Sequence, residues 1–554
     1  MGPILAVAYV RTDQPGTDPL SLPQANDTGA TCPASPDDLR RQLHQRLDRA
    51  IDACLDEHPN SSFLQVEAAL RDHLAALGVL LLQLFLLRRH QRLDLQPWRL
   101  RGFRIGQSYA QRDLHTTCGL LRYGRAYLIP AEGQRGPGVH PLDVELGLTR
   151  DSYTPRLISW FCRLCTRVSF RCSAELGQMF LGWAPAPSTI AEWALGLGRP
   201  AYVWLSSGPL PEGDGEVLVI EGDGKAVPTA TTEELTKRRQ PRPGRARACA
   251  CDCKRHRGRA CRKAKGHKKR RKRGDKSKNG RSATLVVMYT LRRAEDGRLH
   301  GPINKKTFAS FASRQKVLQW ARAQATRRGF PADTSKTVQI VVDGEVCLER
   351  QLRQLFPKAI LTLDLRHAQE RLWRVGRLLH AEASAALAAW VEPLAELLYQ
   401  GEVQALLARL EAIECRGPGS KAKRVAQEQA VAYVRKRQGL MRYGAWREQD
   451  LVLASGVVEG AARHVIGERL DQSGMRWVVE RAEALLLRRC VEINGDWDAF
   501  FAFSEQDRQA DLRSAKVVQV RSKAPIQLPE LNQKSEQERR RRERARAAQT
   551  KVPA

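Results

Sequence analysis

The segment Thr337–His367, TVQIVVDGEVCLERQLRQLFPKAILTLDLRH, constrains the fold more than any other part of the chain. Val338–Val342 is apolar and β-branched, as a strand buried on both faces must be, and it stops at the turn-forming pair Asp343-Gly344. An aspartate is thereby placed at the carboxyl end of a core strand, where open α/β sheets carry their chemistry. Leucines at helical spacing over Glu349–Leu355 give a helix that Phe356-Pro357 ends. Ala359–Leu363 is again a strand, and it delivers Asp364-Leu-Arg-His367 to the same rim. A carboxylate that merely caps the following helix leaves the same trace at Asp343, so both readings stand on this stretch alone.

The other strands arrange themselves around this one. Glu216–Ile220 is an apolar strand ending in Glu221-Gly-Asp223, and alternation puts Val217, Val219, Glu221 and Asp223 on one face. Ala283–Leu291 and Leu299–Phe311 follow, joined through Glu295-Asp296-Gly297, and Ser313–Arg328 is an amphipathic helix stopped at Gly329. The order is strand, strand, strand, helix, strand, helix, strand, with acids on the first and fourth strands. The expected fold is therefore α/β: a ribonuclease H-like mixed sheet flanked by helices, with strands one and four as neighbours. Ala381–Met441 reads as an all-helical insertion. It returns at Ser455-Gly-Val-Val-Glu459-Gly-Ala-Ala, a helix start whose small residues allow close approach to the sheet.

A length of 554 residues accommodates several cores, and a net charge of +32 points to a polyanionic partner, nucleic acid before membrane. About twenty of the excess positive charges fall between Lys237 and Arg281, a stretch nearly devoid of apolar residues, which reads as a solvated phosphate-binding arm. The expected organisation is a disordered leader (1–35), an N-terminal helical region with a small β element (36–150), helices suited to a helix-turn-helix (151–212), and the first part of the core (213–380) interrupted by the basic arm (237–281). The helical insertion (381–445), the last part of the core (446–505) and a basic disordered tail (506–554) follow.

The start, MGPILAVAYVRTDQPG, lacks a cationic region ahead of an apolar one, so the 13 cysteines are expected as thiols in a reducing cytoplasm. The most apolar window, Leu74–Leu87, is too short to span a bilayer and predicts a buried helix opened by the capping box Ser62-x-x-Gln65. No membrane association is expected. Leu100–Pro130 alternates like a small antiparallel sheet, and Tyr153–Gly198 divides into three helices, the last opened by a Thr189/Glu192 capping box. Cys162-x-x-Cys165 lies on an apolar helix, where buried thiols are the default.

Asp223, Asp343 and Glu459 are the acids to bring together. Carboxylates about 4 Å apart repel by roughly 4 kcal/mol per pair at an effective dielectric near 20, so they must protonate or hold cations. Two Mg²⁺ or Mn²⁺ ions, bridged by Asp223 and Asp343 and completed by Glu459, would activate a water or 3′-hydroxyl and stabilise a leaving phosphodiester oxygen. Glu221 shares the face of Asp223 and is the alternative ligand. Glu459 could instead pair with Arg463 one helical turn on. His367 either fixes the strand end or acts beside the scissile phosphate.

The segments IEGDGKAVP, GDKSKNGRSATLVVMYTL, VVDG with FPKAILTLDLRHAQERLW, and SGVVEG with RLDQSGMRW and NGDWDAF resemble a bacterial insertion-sequence transposase of the DDE class, in the ISKra family (type four). The resemblance runs from about Pro141 to Phe500. It implies a ribonuclease H-like core, two divalent metals, cleavage of element ends and strand transfer into target DNA. It places the acidic triad on Asp223, Asp343 and Glu459, and it likens Asp364-x-x-His367 to a signature of transposases with helical insertions, Mutator-like elements included. Two element ends must be paired, so a homo-oligomer is expected, nucleoid-associated and bound to terminal inverted repeats and target DNA.

Phosphate contacts are expected from Lys268, Lys269, Arg270, Arg271, Lys272, Arg273, Lys276 and Lys278 in the arm. Arg476 and Trp477 could offer a guanidinium to phosphate and an aromatic face to an unpaired base, although a core tryptophan fits Trp477 equally. Cys249, Cys251, Cys253 and Cys261, with His256 and His267 nearby, invite a zinc site; their spacing departs from the usual two to four intervening residues and disfavours it. Two rival readings are a ribonuclease H-like nuclease without strand transfer and a non-catalytic nucleic-acid-binding protein whose acids are caps and ion pairs.

Overall fold

A computed structural model describes residues 35–55, 62–132, 136–239, 280–330, 336–417, 419–472 and 475–513. The leader (1–34), the basic arm with its lysines, arginines, cysteines and histidines (240–279), and the tail (514–554) lie outside them.

The architecture is mixed α/β. Two antiparallel strands, β1 (Phe103–Thr116) and β2 (Gly119–Pro130), form a hairpin. The main sheet has five strands: β3 (Val217–Pro228), β4 (Gly280–Arg293), β5 (Leu299–Ser310), β6 (Thr337–Val342) and β7 (Ile360–Leu363). Their order is β5-β4-β3-β6-β7, antiparallel on the β5 side and parallel on the β7 side. The first and fourth strands of this sheet, β3 and β6, are neighbours, as the sequence leads one to expect. Strand β6, between β3 and β7, is buried on both faces, which is why its pattern is continuously apolar rather than alternating. Its one polar core residue, Gln339, spends its amide on Thr362 and on the backbone of Val452.

The helices of 151–212 number four: Pro155–Arg167, Phe170–Leu181, Pro187–Gly196 and Gly198–Ser207. They form no separate core, since Leu157, Phe161, Ile190 and Leu205 join the same hydrophobic cluster as the sheet. The third of them starts at Pro187 with Ala186 as its cap, so Thr189 and Glu192 make no capping box; Glu192 pairs with Arg481 instead, at 2.6 Å. Cys162 and Cys165 are fully buried thiols, and burial pushes the Cys162 thiol well above its usual range. Residues 381–445 carry helices at Ala385–Gln400, Val403–Glu411 and Ser420–Arg437.

The helix around Leu74–Leu87 departs from expectation. It runs from Phe63 to Gln91, and its capping box forms: Ser62 N–H donates to Gln65 Oε1 at 2.9 Å. Yet only His73 and Leu86 on it are buried, and by length and composition it is long and apolar enough to cross a membrane. Leu86, Val79 and Leu82 seat it on the β hairpin, against Leu114 and Leu121, and on Leu142 of the short helix Pro141–Glu145. The hairpin is too narrow to cover the rest, so Leu74 and Leu81 face outward.

Candidate functional site

Register builds the site. β3 and β6 run parallel with Glu221 opposite Val341, and β6 pairs Val342 with Leu363 of β7. Two residues on from the first pair are Asp223 and Asp343, and one residue on from the second are Asp343 and Asp364. Side chains at one level of a parallel sheet project to the same face, so the three aspartates form a row along the rim.

Asp343 follows the last residue of β6 and turns the chain through Gly344, whose φ of +86° suits glycine. Its Oδ1 accepts the Glu345 N–H at 2.9 Å, while the following helix, Val346–Leu355, is capped at Glu345. Asp343 therefore shapes the turn rather than capping the helix, and one carboxylate oxygen stays uncommitted among the described residues. Asp223 behaves alike: its Oδ1 accepts the Gly224 N–H at 2.6 Å. Burial, joined by the nearby Asp343 charge, holds the Asp223 carboxyl above its ordinary value, against the pull of that N–H, His367 and Lys225. Asp223, Asp343 and His367 thus lie within range of one another's charge.

His367 is the hub. Its Nδ1 lies 3.6 Å from Asp364 Oδ2 and 3.9 Å from Glu459 Oε1. The adjoining Asp364 carboxylate raises the imidazole to about 9 against the effect of burial, with Glu370 and Asp343 adding to the rise. Glu459 sits on the helix Gly456–Ala461, exposed, and its ion pair among the described residues is with His367 rather than with Arg463. Asp364, His367 and Glu459 bring ligand atoms within 4.8 Å of one another. Asp364 is nevertheless a poor ligand candidate, because it is fully buried and both its oxygens are taken. Oδ1 caps the helix Leu365–Leu379 through the His367 N–H, and Oδ2 accepts the Ser455 N–H at 2.8 Å and the Ser455 hydroxyl. Burial works to raise this carboxyl, but the bonds from His367 and Ser455 outweigh it and hold it well below the usual range.

Glu221, the alternative to Asp223, is also fully buried. Its oxygens accept the Tyr289 hydroxyl at 2.7 Å and the Val458 N–H at 2.9 Å. Burial, reinforced by Asp364 and Glu459, pushes it up to about 7 in spite of those bonds. Asp364 and Glu221 therefore grip the start of the Glu459 helix through the Ser455 and Val458 N–H groups, the Val458 N–H being shared between Glu221 and the Ser455 carbonyl. Neither grip was readable beforehand, although the position of Asp364 directly after β7 was a signal. Lys225, two residues past Asp223, lies against Gly467 in the π-helical turn Ala462–Gly467 that continues the Glu459 helix.

Trp477 requires a correction. Its ring belongs to the main core, its indole N–H donates to the Leu470 carbonyl at 3.1 Å, and the Arg469 guanidinium covers it at 5.1 Å. A ring so enclosed offers no face to an unpaired base. Arg476 beside it is half-buried and donates to the Met475 carbonyl. The other expected nucleic-acid contacts, Lys268 to Lys278, and the cysteines of the arm lie outside the described residues.

No known protein family matches this chain, and no curated protein matches it. Among solved structures, the Drosophila P element transposase strand transfer complex is similar at 11% identity, over 69% of this chain and 90% of that one, with a TM-score of 0.20.

Proposed function

We propose that this chain is a DDE-type DNA transposase that cleaves at the ends of its insertion sequence and joins the freed 3′-hydroxyls to target DNA. The observation that carries the reading is the level of Asp223 and Asp343 on adjacent parallel strands, with Glu459 returned to the same rim by a helix that follows the insertion. A ribonuclease H-like core asks for that strand order and for acids at those places. The quoted motifs resembling the ISKra family support the same residues.

The donor set suits Mg²⁺ or Mn²⁺: carboxylates only, with Asp223 and Asp343 each tying one oxygen to the backbone and leaving the other free to ligate. Asp223, Asp343 and Glu459 would hold the ions, which when bound supply charge neutralisation at a phosphodiester and an activated hydroxyl. The chain's own contribution is positional. Asp364 and Glu221 fix the Glu459 helix to the ends of β7 and β3, and the imidazolium of His367 balances the acids from the protein side. DNA is the expected partner, at terminal inverted repeats and at the target, and pairing of two ends calls for a homo-oligomer associated with the nucleoid.

Asp343→Ala is expected to retain DNA binding while abolishing Mn²⁺-dependent nicking of an element-end duplex; retained metal-dependent nicking by that variant overturns the assignment. Joining of a labelled pre-cut end to plasmid distinguishes a transposase from a nuclease that only cuts.

A further inference from the structure

Beside Asp343 the helical insertion meets the catalytic turn. The Arg437 guanidinium donates through Nη2 to the Gly344 carbonyl at 2.6 Å and lies over the ring of Tyr433 at 4.2 Å, while Arg371 covers Tyr433 at 4.8 Å. The approach is close. A Cβ added at Gly344 would sit 2.7 Å from the Tyr433 hydroxyl and 3.0 Å from Arg437 Nε. Both of those atoms are buried and lack a hydrogen-bond partner among the described residues.

From this junction a groove of about 410 Å³ runs between the helices Val346–Leu355 and Ser420–Arg437, lined by Arg350, Arg353, Lys436 and Arg437 with Glu349 as its one acid. Glu349 is taken by Arg353 at 3.1 Å. Arg350 and Lys436 are exposed and have no acidic partner among the described residues. Cations gathered in a concavity repel one another unless a polyanion enters it, and a phosphodiester backbone is the polyanion whose spacing suits a row of separate cations.

We propose that this groove carries the phosphates of the DNA strand that reaches Asp343, with Arg350 and Lys436 as backbone contacts and Arg437 as the joint that fixes the groove to the catalytic turn. The proposal rests on the transposase reading and assigns the insertion a task in it: the insertion supplies one wall of the strand path.

The test uses the full chain, a fluorescein-labelled DNA duplex with a single-stranded extension, and EDTA throughout, read by anisotropy over a salt series. The double variant R350E/K436E is expected to weaken binding about tenfold or more. It should also reduce the slope of log affinity against log salt by about two. The control K421E/R424E, roughly 20 Å away at the other end of the same helix, should stay within about twofold of the parent. An unchanged affinity and slope in R350E/K436E, with an unaltered melting temperature, overturns the groove; so does an equal loss in the control. R350Q/K436Q, which removes charge without reversing it, should lose about half as much in free energy, and no loss there also counts against the proposal. Because binding is read without divalent ions, these outcomes are independent of whether Asp343→Ala abolishes nicking.

Discussion

Two helices of this protein exchange the places that their compositions suggest. Phe63–Gln91 holds the most apolar run in the chain, yet Leu74 is 58% exposed and Leu81 57%. Val479–Ile493 carries three arginines and three glutamates, yet eleven consecutive residues from Ala482 to Glu492 are buried. The difference lies in what surrounds each. The first helix rests on a two-stranded hairpin, the helix Pro36–Leu55 and the short helix Pro141–Glu145, which together leave most of it uncovered. The second passes through the centre of the main body, and its polar groups are matched one by one. Glu483 accepts the Ser310 hydroxyl at 2.5 Å and the Phe311 N–H at 2.7 Å; Arg488 donates to the Cys162 carbonyl, Arg489 to Thr166 and Val465, and Glu492 receives Arg163 and Arg167. Hydropathy measures what burial would gain, whereas the partners available decide whether burial occurs. The matched helix also steadies the site, since Arg489 holds the segment that continues the Glu459 helix.

Four measurements break or sharpen this contrast. Glu483→Ala should cost the most, about 4 kcal/mol in urea unfolding, because it strands a buried N–H and hydroxyl and opens a cavity. A loss below about 1 kcal/mol would mean that the central helix does not depend on its polar matches. On the apolar helix, Leu86→Ala should cost about 3 kcal/mol, as the deletion of a buried leucine does; a negligible cost would show the helix to be unseated from the hairpin.

The third is a pH dependence. Burial raises Glu483 from 4.5 to about 7, against the two hydrogen bonds it accepts, so the folded state binds its proton more tightly than the unfolded one. The stability this contributes is complete below the unfolded value and is lost as pH rises through about 7. The urea midpoint should therefore fall between mildly acidic and mildly alkaline buffer, and the fall should shrink in Glu483→Ala; an identical slope in the variant would remove Glu483 as its source. The smallest effect is expected at Leu81→Ser, within about 0.5 kcal/mol because the side chain is 57% exposed. A loss of more than about 1 kcal/mol would reveal that something covers this face in solution.

The site divides along the same line. The strand-turn pattern at Val338–Gly344 placed Asp343 at a sheet rim, and the order of strands placed Asp223 beside it, because both signals are local and a parallel sheet converts them into neighbourhood. Glu221 could not be told from Asp223 in the same way, since the two share one face of one strand. What separates them is Val458, 237 residues away, and Tyr289, which close over Glu221 and leave Asp223 at the rim. Asp364 is similar: its grip on Ser455 spans 91 residues and exists only once the helical insertion has folded and returned the chain. The Arg437–Gly344 contact that anchors the basic groove depends on that same return. Trp477 could not be placed from the sequence, because Phe170, which helps enclose it, comes from a helix far away in the chain.

From its residues alone this chain specified an α/β sheet, the succession of its strands and the acids at their ends, since periodicity and turn chemistry act between neighbours in sequence. Which acids stay open and which are locked, which apolar helix keeps an uncovered face, and where cations converge into a groove were decided by the tertiary structure. Each of those outcomes requires a partner group from a distant segment, and only the closed fold brings the two within the few ångströms over which hydrogen bonds, ion pairs and desolvation operate.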